Sequence, residues 1–335
     1  MDLLPTEVFK TYWVFAAERQ NVYFNRLESK PKPWSQDKIL NRYRFTNAYR
    51  AADRVSQYLI KEIQYSPERS TRPDEVFFRT ILFKIFNKAD TWEAIEKANG
   101  QSIELRTVNY DLIAKVLSER MGQGVPIYSA AYIMPSPKFG FKRKFENHLA
   151  LIKQMIEDSL PERLRQRPSL SDVYELMLSY SGLGPFLAFQ FTIDLNYSSL
   201  LDFDEDEFVV AGPGAIDGIS KCFENYRDFK PAEIIHHVTA NQEKYLSEYD
   251  VKFRQLFGRM LKPIDCQNLF CEISKYARVA HPDVKGISGR TRIKQSYSAN
   301  QKPLPEPYFP DRWAINENVK SFLSKLPKRP RIQLL

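Results

Sequence analysis

Asp194 stands inside PFLAFQFTIDLN, residues 185–196, a run that is otherwise almost wholly apolar. A carboxylate buried without a partner costs several kcal/mol or rises in pKa, so Asp194 either caps neighbouring backbone amides or faces a functional cleft. Gln190 and Tyr197 belong to the same stretch and are taken as base contacts beside it. Two glycine-marked turns flank the region, Gly182-Leu183-Gly184 and Gly212-Pro213-Gly214. Each opens a helix, and unpaired amides together with the helix dipole favour an anion such as phosphate there. The alternative is an ordinary helix-to-helix turn. Further upstream, Asn47, Arg50, Arg54 and Gln57 share a polar face that could bind phosphates, bond a base edge, or pair with Asp53 and solvent. Near the far end, Glu272, Lys275 and Arg278 group beside Asn268 and are expected to meet the Asp194 helix.

The elements that must position these residues read as helices. Val8, Tyr12, Phe15, Arg19 and Tyr23 recur at helical spacing over residues 6–27. ILNRYRFTNAYRAADRVSQYLIKEI, residues 39–63, is predicted as one helix with Phe45, Tyr49, Ala52, Val55, Leu59 and Ile63 on its apolar face. Residues 73–87 are apolar on nearly all sides and predict a central buried helix. Asp90 and Glu93 suggest a capping box for a helix ending at Gly100. Helices are further predicted over 109–121, 142–160 and 171–180, with proline- and glycine-broken chain at 124–141. Gly182 ends the last of these in a left-handed conformation and Pro185 starts the next. Helices at 216–226, with Asp217 in the first turn, 231–245, 248–261 and 265–279 follow. One helical body over residues 1–283, with room for two intimate lobes, then gives way to a basic, loosely held tail at 284–335, with a short helix near 315–323. The closing KLPKRPRIQLL could track a phosphate backbone or be an unremarkable basic terminus.

Composition narrows the classes. The 335 residues are 43% hydrophobic and 13% aromatic, enough to bury a sizeable core. Lys and Arg exceed Asp and Glu by 8, which suits a polyanionic partner without demanding one. Three irregularly spaced cysteines argue against a disulfide framework, and the cytoplasm is the expected compartment. No membrane span or signal peptide is expected. There is no GxxxxGK[S/T] phosphate loop, no Rossmann context and no GxSxG nucleophile motif. Cys266, Cys271 and His281 match no common zinc spacing, so neither a metal nor another cofactor is expected.

RYRFTNAYRAADRVSQYL, SGLGPFLAFQFTIDLNYS, GPGAIDGISKCF and NLFCEISKYAR, in that order, together resemble a family of all-helical proteins linked to hypermodified pyrimidines in phage DNA. The family is known as alpha-glutamyl/putrescinyl thymine pyrophosphorylase and hydroxymethyluracil DNA kinase helical domain. The resemblance implies an all-α, helix-hairpin-helix DNA glycosylase-like fold and a double-stranded DNA partner carrying modified pyrimidines; no protein partner is assigned. It implies a base flipped from the duplex, because a stacked base is unreachable. The expected reaction is excision of a hypermodified pyrimidine, such as glucosylated hydroxymethylcytosine, in antiphage defence. Asp194 would stabilise the oxocarbenium-like sugar, with Glu272 and Lys275 as further catalytic groups. The spacing in ordinary helix-hairpin-helix glycosylases points instead to Asp202 or Asp204. The alternatives are a transferase that attaches an amino acid or amine to pyrophosphorylated hydroxymethyluracil, and a noncatalytic DNA-binding domain. The missing phosphate loop weakens a kinase reading.

Overall fold

The computed structural model describes residues 1–298 and 304–327, which fold as helices and connecting loops with three isolated bridges and no strand. The chain forms two compact units. Met1–Arg50 and the chain from Pro213 onward make the first, and Ala51–Gly212, inserted between them in sequence, makes the second.

Helix α1 (Glu7–Leu27) opens the first unit, and the Thr6 hydroxyl caps it by accepting from the Val8 amide at 3.2 Å. Phe9, Tyr12, Trp13 and Phe15 are fully buried along it. Helix α2 (Lys38–Arg42) is capped by Asp37, which accepts from the Ile39 and Leu40 amides at 2.7 and 3.1 Å. The single helix predicted over 39–63 is not formed. After α2 the chain is irregular to a short 3-10 turn at Arg50–Ala52, because distant carboxylates take the amides that a helix would use. The Thr46 amide donates to Glu272 Oε2 at 3.1 Å and the Arg50 amide to Asp265 Oδ1 at 2.8 Å.

The second unit starts with α3 (Arg54–Tyr58), which runs into a π-helical turn, Leu59–Gln64. Its centre is α4 (Pro73–Phe86), buried from Glu75 to Phe86 as the sequence predicts. Three buried charged residues on this helix each meet a partner. Glu75 accepts from the Leu105 amide at 2.6 Å, Arg79 donates to the Ser70 and Ile63 carbonyls, and Lys84 pairs with Asp194. Against α4 pack α5 (Ala89–Asn99), α7 (Lys144–Glu157), α8 (Leu160–Arg165) and α10 (Pro185–Asn196), while α6 (Tyr110–Gly122) packs on α5 and α7, and α9 (Leu170–Leu178) on α10. Lys88, not Asp90, occupies the N-cap of α5, and Asp90 instead pairs with Lys88 and Arg120. Gly182 adopts φ +84° between α9 and α10 and Pro185 starts α10, as predicted; Gly184 is the N-cap residue.

Back in the first unit, α11 (Pro213–Cys222) packs along α14 (Pro263–Ala280), with α12 (Pro231–Ala240) and α13 (Gln242–Glu248) between them in sequence. Two glycines one turn apart set the approach. A Cβ on Gly214 would lie 2.4 Å from Cys271 Sγ, and one on Gly218 would lie 1.9 Å from the Phe270 carbonyl oxygen. Asp217 sits in the second turn of α11, not the first. The helix predicted at 248–261 is replaced by turns, with positive φ at Asp250, Phe257 and Gly258. Beyond residue 303, α15 (Asn316–Ser324) forms close to the predicted place. Phe309 and Val319 are buried, and Phe322 meets Phe24 and Phe257. Residues 328–335, which carry most of the basic terminus, lie outside the described residues.

Candidate functional site

In the second unit, Asp194 is completely buried and its Oδ2 lies 2.7 Å from Lys84 Nζ. The two helices supply opposite charges at facing positions in an otherwise apolar core. Lys84 Nζ also sits 4.3 Å from the centre of the Tyr132 ring, on the loop before α7. The Tyr132 hydroxyl donates to Gln190 Oε1 at 3.3 Å, one helical turn before Asp194, and its ring stacks on Phe186. Beneath, Gln64 Nε2 donates to the Asp194 carbonyl at 2.8 Å, and the Tyr65 hydroxyl donates to the Tyr197 carbonyl at 3.0 Å. Asp194, Lys84, Tyr132 and Gln190 therefore form a connected polar path from the buried core to half-exposed Tyr132. Gly184 has open space where a side chain would be, whereas a Cβ on Gly182 would meet Pro137 at 3.2 Å. Arg54 is exposed at the start of α3, and Gln57 is buried with its amide on the Ala51 carbonyl.

In the first unit, Glu272 is buried and pairs with Lys275 at 2.7 Å. Lys275 also donates to the Arg44 carbonyl, and Asn268 Nδ2 donates to Thr46 Oγ1 and the Asn47 carbonyl. These side chains fasten residues 44–47 to α14. Arg50 is only 3% exposed. The shared helical face expected for Asn47, Arg50, Arg54 and Gln57 does not exist, because the helix that would carry it is broken. Gly212 is buried at the end of the second unit, and Gly214 serves the contact with Cys271.

Sequence reasoning missed two features. Lys84 is one, and the argument applied to Asp194, a charge in an apolar helix, would have found it. The other joins α11 and α14: Asp217 accepts from the Ser274 hydroxyl and from the Ser288 amide at 2.7 Å, and Lys221 donates to the Ser274 carbonyl at 2.9 Å. Burial alone would raise the Asp217 carboxyl, but the bonds from Ser274 and Ser288 and the charge of Lys221 outweigh it and hold it below the usual range. Burial pushes the Cys271 thiol up to about 12, which leaves it a poor nucleophile. Among the described residues, no His, Cys, Asp and Glu group of three or more gathers as a metal would require, and no helix is long and apolar enough to cross a membrane.

This helical chain belongs to the family described as 5-hmdU DNA kinase, helical domain, which matches residues 6–286. Among curated proteins it is similar to the 5-hmdU DNA kinase of Bacillus phage SP10, with 25% identity over 285 residues. The match covers 79% of this chain and 44% of the relative, so the chain spans less than half of that protein's length. No solved structure matches. The comparison corrects the expected reaction. A kinase moves a group onto an acceptor and leaves the bond between base and sugar intact, so base excision, the hydrolase class and the antiphage role attached to them are set aside. Group transfer, the alternative reading, is the one that agrees with the relative.

Proposed function

We propose that this chain acts in group transfer to 5-hydroxymethyluracil in DNA, holding the strand so that the hydroxymethyl oxygen can serve as acceptor. The family match across residues 6–286 carries this reading, since it takes in all of the second unit, most of the first and every candidate residue named above. The chain has no GxxxxGK[S/T] loop, so its own residues are assigned to the acceptor side: grip on the DNA and placement of the base.

In this reading α9, the Gly182 turn and α10 act as a helix-hairpin-helix contact, with the amides around Gly184 toward a phosphate. Exposed Arg54 is assigned to the backbone as well. Tyr132 and Gln190 contact the modified base, with Tyr197 behind them. Asp194 and Lys84 keep that pair in place, Glu272 with Lys275 positions residues 44–47, where Asn47 lies, and Asp265 holds the amide of Arg50 just beyond.

The test is to incubate the purified protein with duplexes that differ only in carrying 5-hydroxymethyluracil or thymine, with and without γ-labelled ATP. Label or mass gained on the base, or at least severalfold tighter binding to the hydroxymethyluracil duplex, is expected. Equal affinity for both duplexes with no gain of mass would overturn the proposal.

A further inference from the structure

The first unit carries a recess that neither the sequence motifs nor the family match explains. It is walled by Arg19 and Arg26 of α1, by Trp34 and Tyr43, and by Tyr297, with Asn41 at its rim and no carboxylate in its lining. The Arg26 guanidinium lies 4.8 Å and Lys32 Nζ 5.0 Å from the Trp34 ring centre, and the Arg42 guanidinium lies 5.3 Å from that of Tyr43. Positive charge is thus concentrated against aromatic faces, a combination that suits a nucleotide unit, whose base offers a π-face and whose phosphate offers charge.

The chain leading to Tyr297 has matching chemistry. Residues 284–297 contain Lys285, Arg290, Arg292 and Lys294, all exposed or partly so, and no Asp or Glu. A basic run is ordinarily a solvated face, but this one is fixed at both ends. At one end the Ser288 amide is bound to buried Asp217, and a Cβ on Gly286 would sit 2.3 Å from Asp217 Oδ1, so a close fit seats the turn. At the other end the Arg44 amide donates to the Gln295 carbonyl at 3.1 Å, and the Tyr297 amide donates to the Arg42 carbonyl at 2.9 Å. Midway, Arg278 donates to the Arg292 carbonyl. The charge of Arg290 acts on Arg278 beside it, and a phosphate placed there relieves that repulsion.

We propose that residues 290–297 and the recess together bind a single DNA strand, with phosphates along Arg290, Arg292 and Lys294 and one unstacked base against Tyr43 and Tyr297. The proposal rests on the reading that this chain acts on DNA, and it names a surface of the first unit that grips the strand.

The test uses the whole chain, fluorescence anisotropy of a labelled short oligothymidylate, and Trp34 emission compared with a W34F variant. Y43A and the double variant R290A/R292A should each weaken binding about tenfold, with unchanged circular dichroism and melting temperature. R290A/R292A should also flatten the dependence of log affinity on log salt by roughly 0.7 for each phosphate no longer neutralised. Binding by the unaltered protein that neither variant changes would overturn this surface and leave the proposed function standing. Failure of the unaltered protein to bind any DNA would overturn both. Quenching of Trp34 by free ATP but not by the oligonucleotide would overturn the strand assignment and make the recess a donor site.

Discussion

The ammonium of Lys84 lies 2.7 Å from the carboxylate of Asp194, with the two side chains only 5% and 1% exposed. A pair so deeply buried is sensitive to the loss of either member, because the survivor stays in a low-dielectric core without its counter-charge.

Lys84→Met should therefore destabilise the second unit by about 3–5 kcal/mol. Asp194→Asn, which keeps a polar group near Lys84, should cost less. The double variant Lys84→Met, Asp194→Leu should recover much of the loss. A urea-unfolding cycle over the four proteins measures the coupling. Additive single effects would mean that the two groups do not act as a pair.

Gly218 allows α11 to approach the backbone of α14. A methyl group there meets a carbonyl oxygen rather than a movable side chain, so Gly218→Ala should cost about 3 kcal/mol or more. Gly122, at the end of α6 with open space for 4 Å around the place a Cβ would take, is the contrast: Gly122→Ala should be neutral or stabilising by up to about 1 kcal/mol. Thermal melts should fall for Gly218→Ala and hold or rise for Gly122→Ala.

His148 is buried on α7, with Nδ1 2.7 Å from the Tyr128 hydroxyl and Nε2 2.9 Å from the Pro135 carbonyl. Burial lowers its pKa from 6.5 to about 4. The unfolded chain takes up a proton below pH 6.5 and the folded chain does not until about pH 4. Stability from this group is thus complete above the unfolded value and is lost as pH falls between the two, by roughly 3 kcal/mol in all. Chemical denaturation at several pH values should show that slope, and His148→Gln should flatten it.

Glu272 holds the Thr46 amide from 226 residues away. Glu272→Ala should speed hydrogen exchange at Thr46 by about tenfold or more, while amides in the middle of α4 keep their protection. Unchanged exchange at Thr46 would show that the carboxylate does not fasten this segment.

The long helices were legible because their apolar spacing and end signals agree. α10 shows this best: Gly182, Pro185 and the mostly apolar run after them place it to the residue. The stretch from Phe45 to Ile63 misleads for the opposite reason. Phe45 and Tyr49 have helical spacing, yet their burial comes from tertiary contacts, while Glu272 and Asp265 supply acceptors that no local pattern reveals. Lys84 was hidden by the apolar residues around it, although Asp194 had already posed the question that it answers. Gly214 looks like a phosphate-turn glycine until the closeness of α14 gives it, together with Gly218, a packing role.

The insertion of Ala51–Gly212 within the sequence of the first unit also has a temporal side. Tyr12 on α1 donates to the carbonyl of Cys266, 254 residues later, so α1 leaves the ribosome long before the helix that covers it has been made. At roughly 5–20 residues per second that interval lasts on the order of tens of seconds. The inserted unit has all its own helices by Gly212 and can close during that wait, while Phe9, Tyr12 and Trp13 remain uncovered. Nascent chains stalled before α14 should accordingly hold a chaperone on their first helix, and release should follow the synthesis of α14.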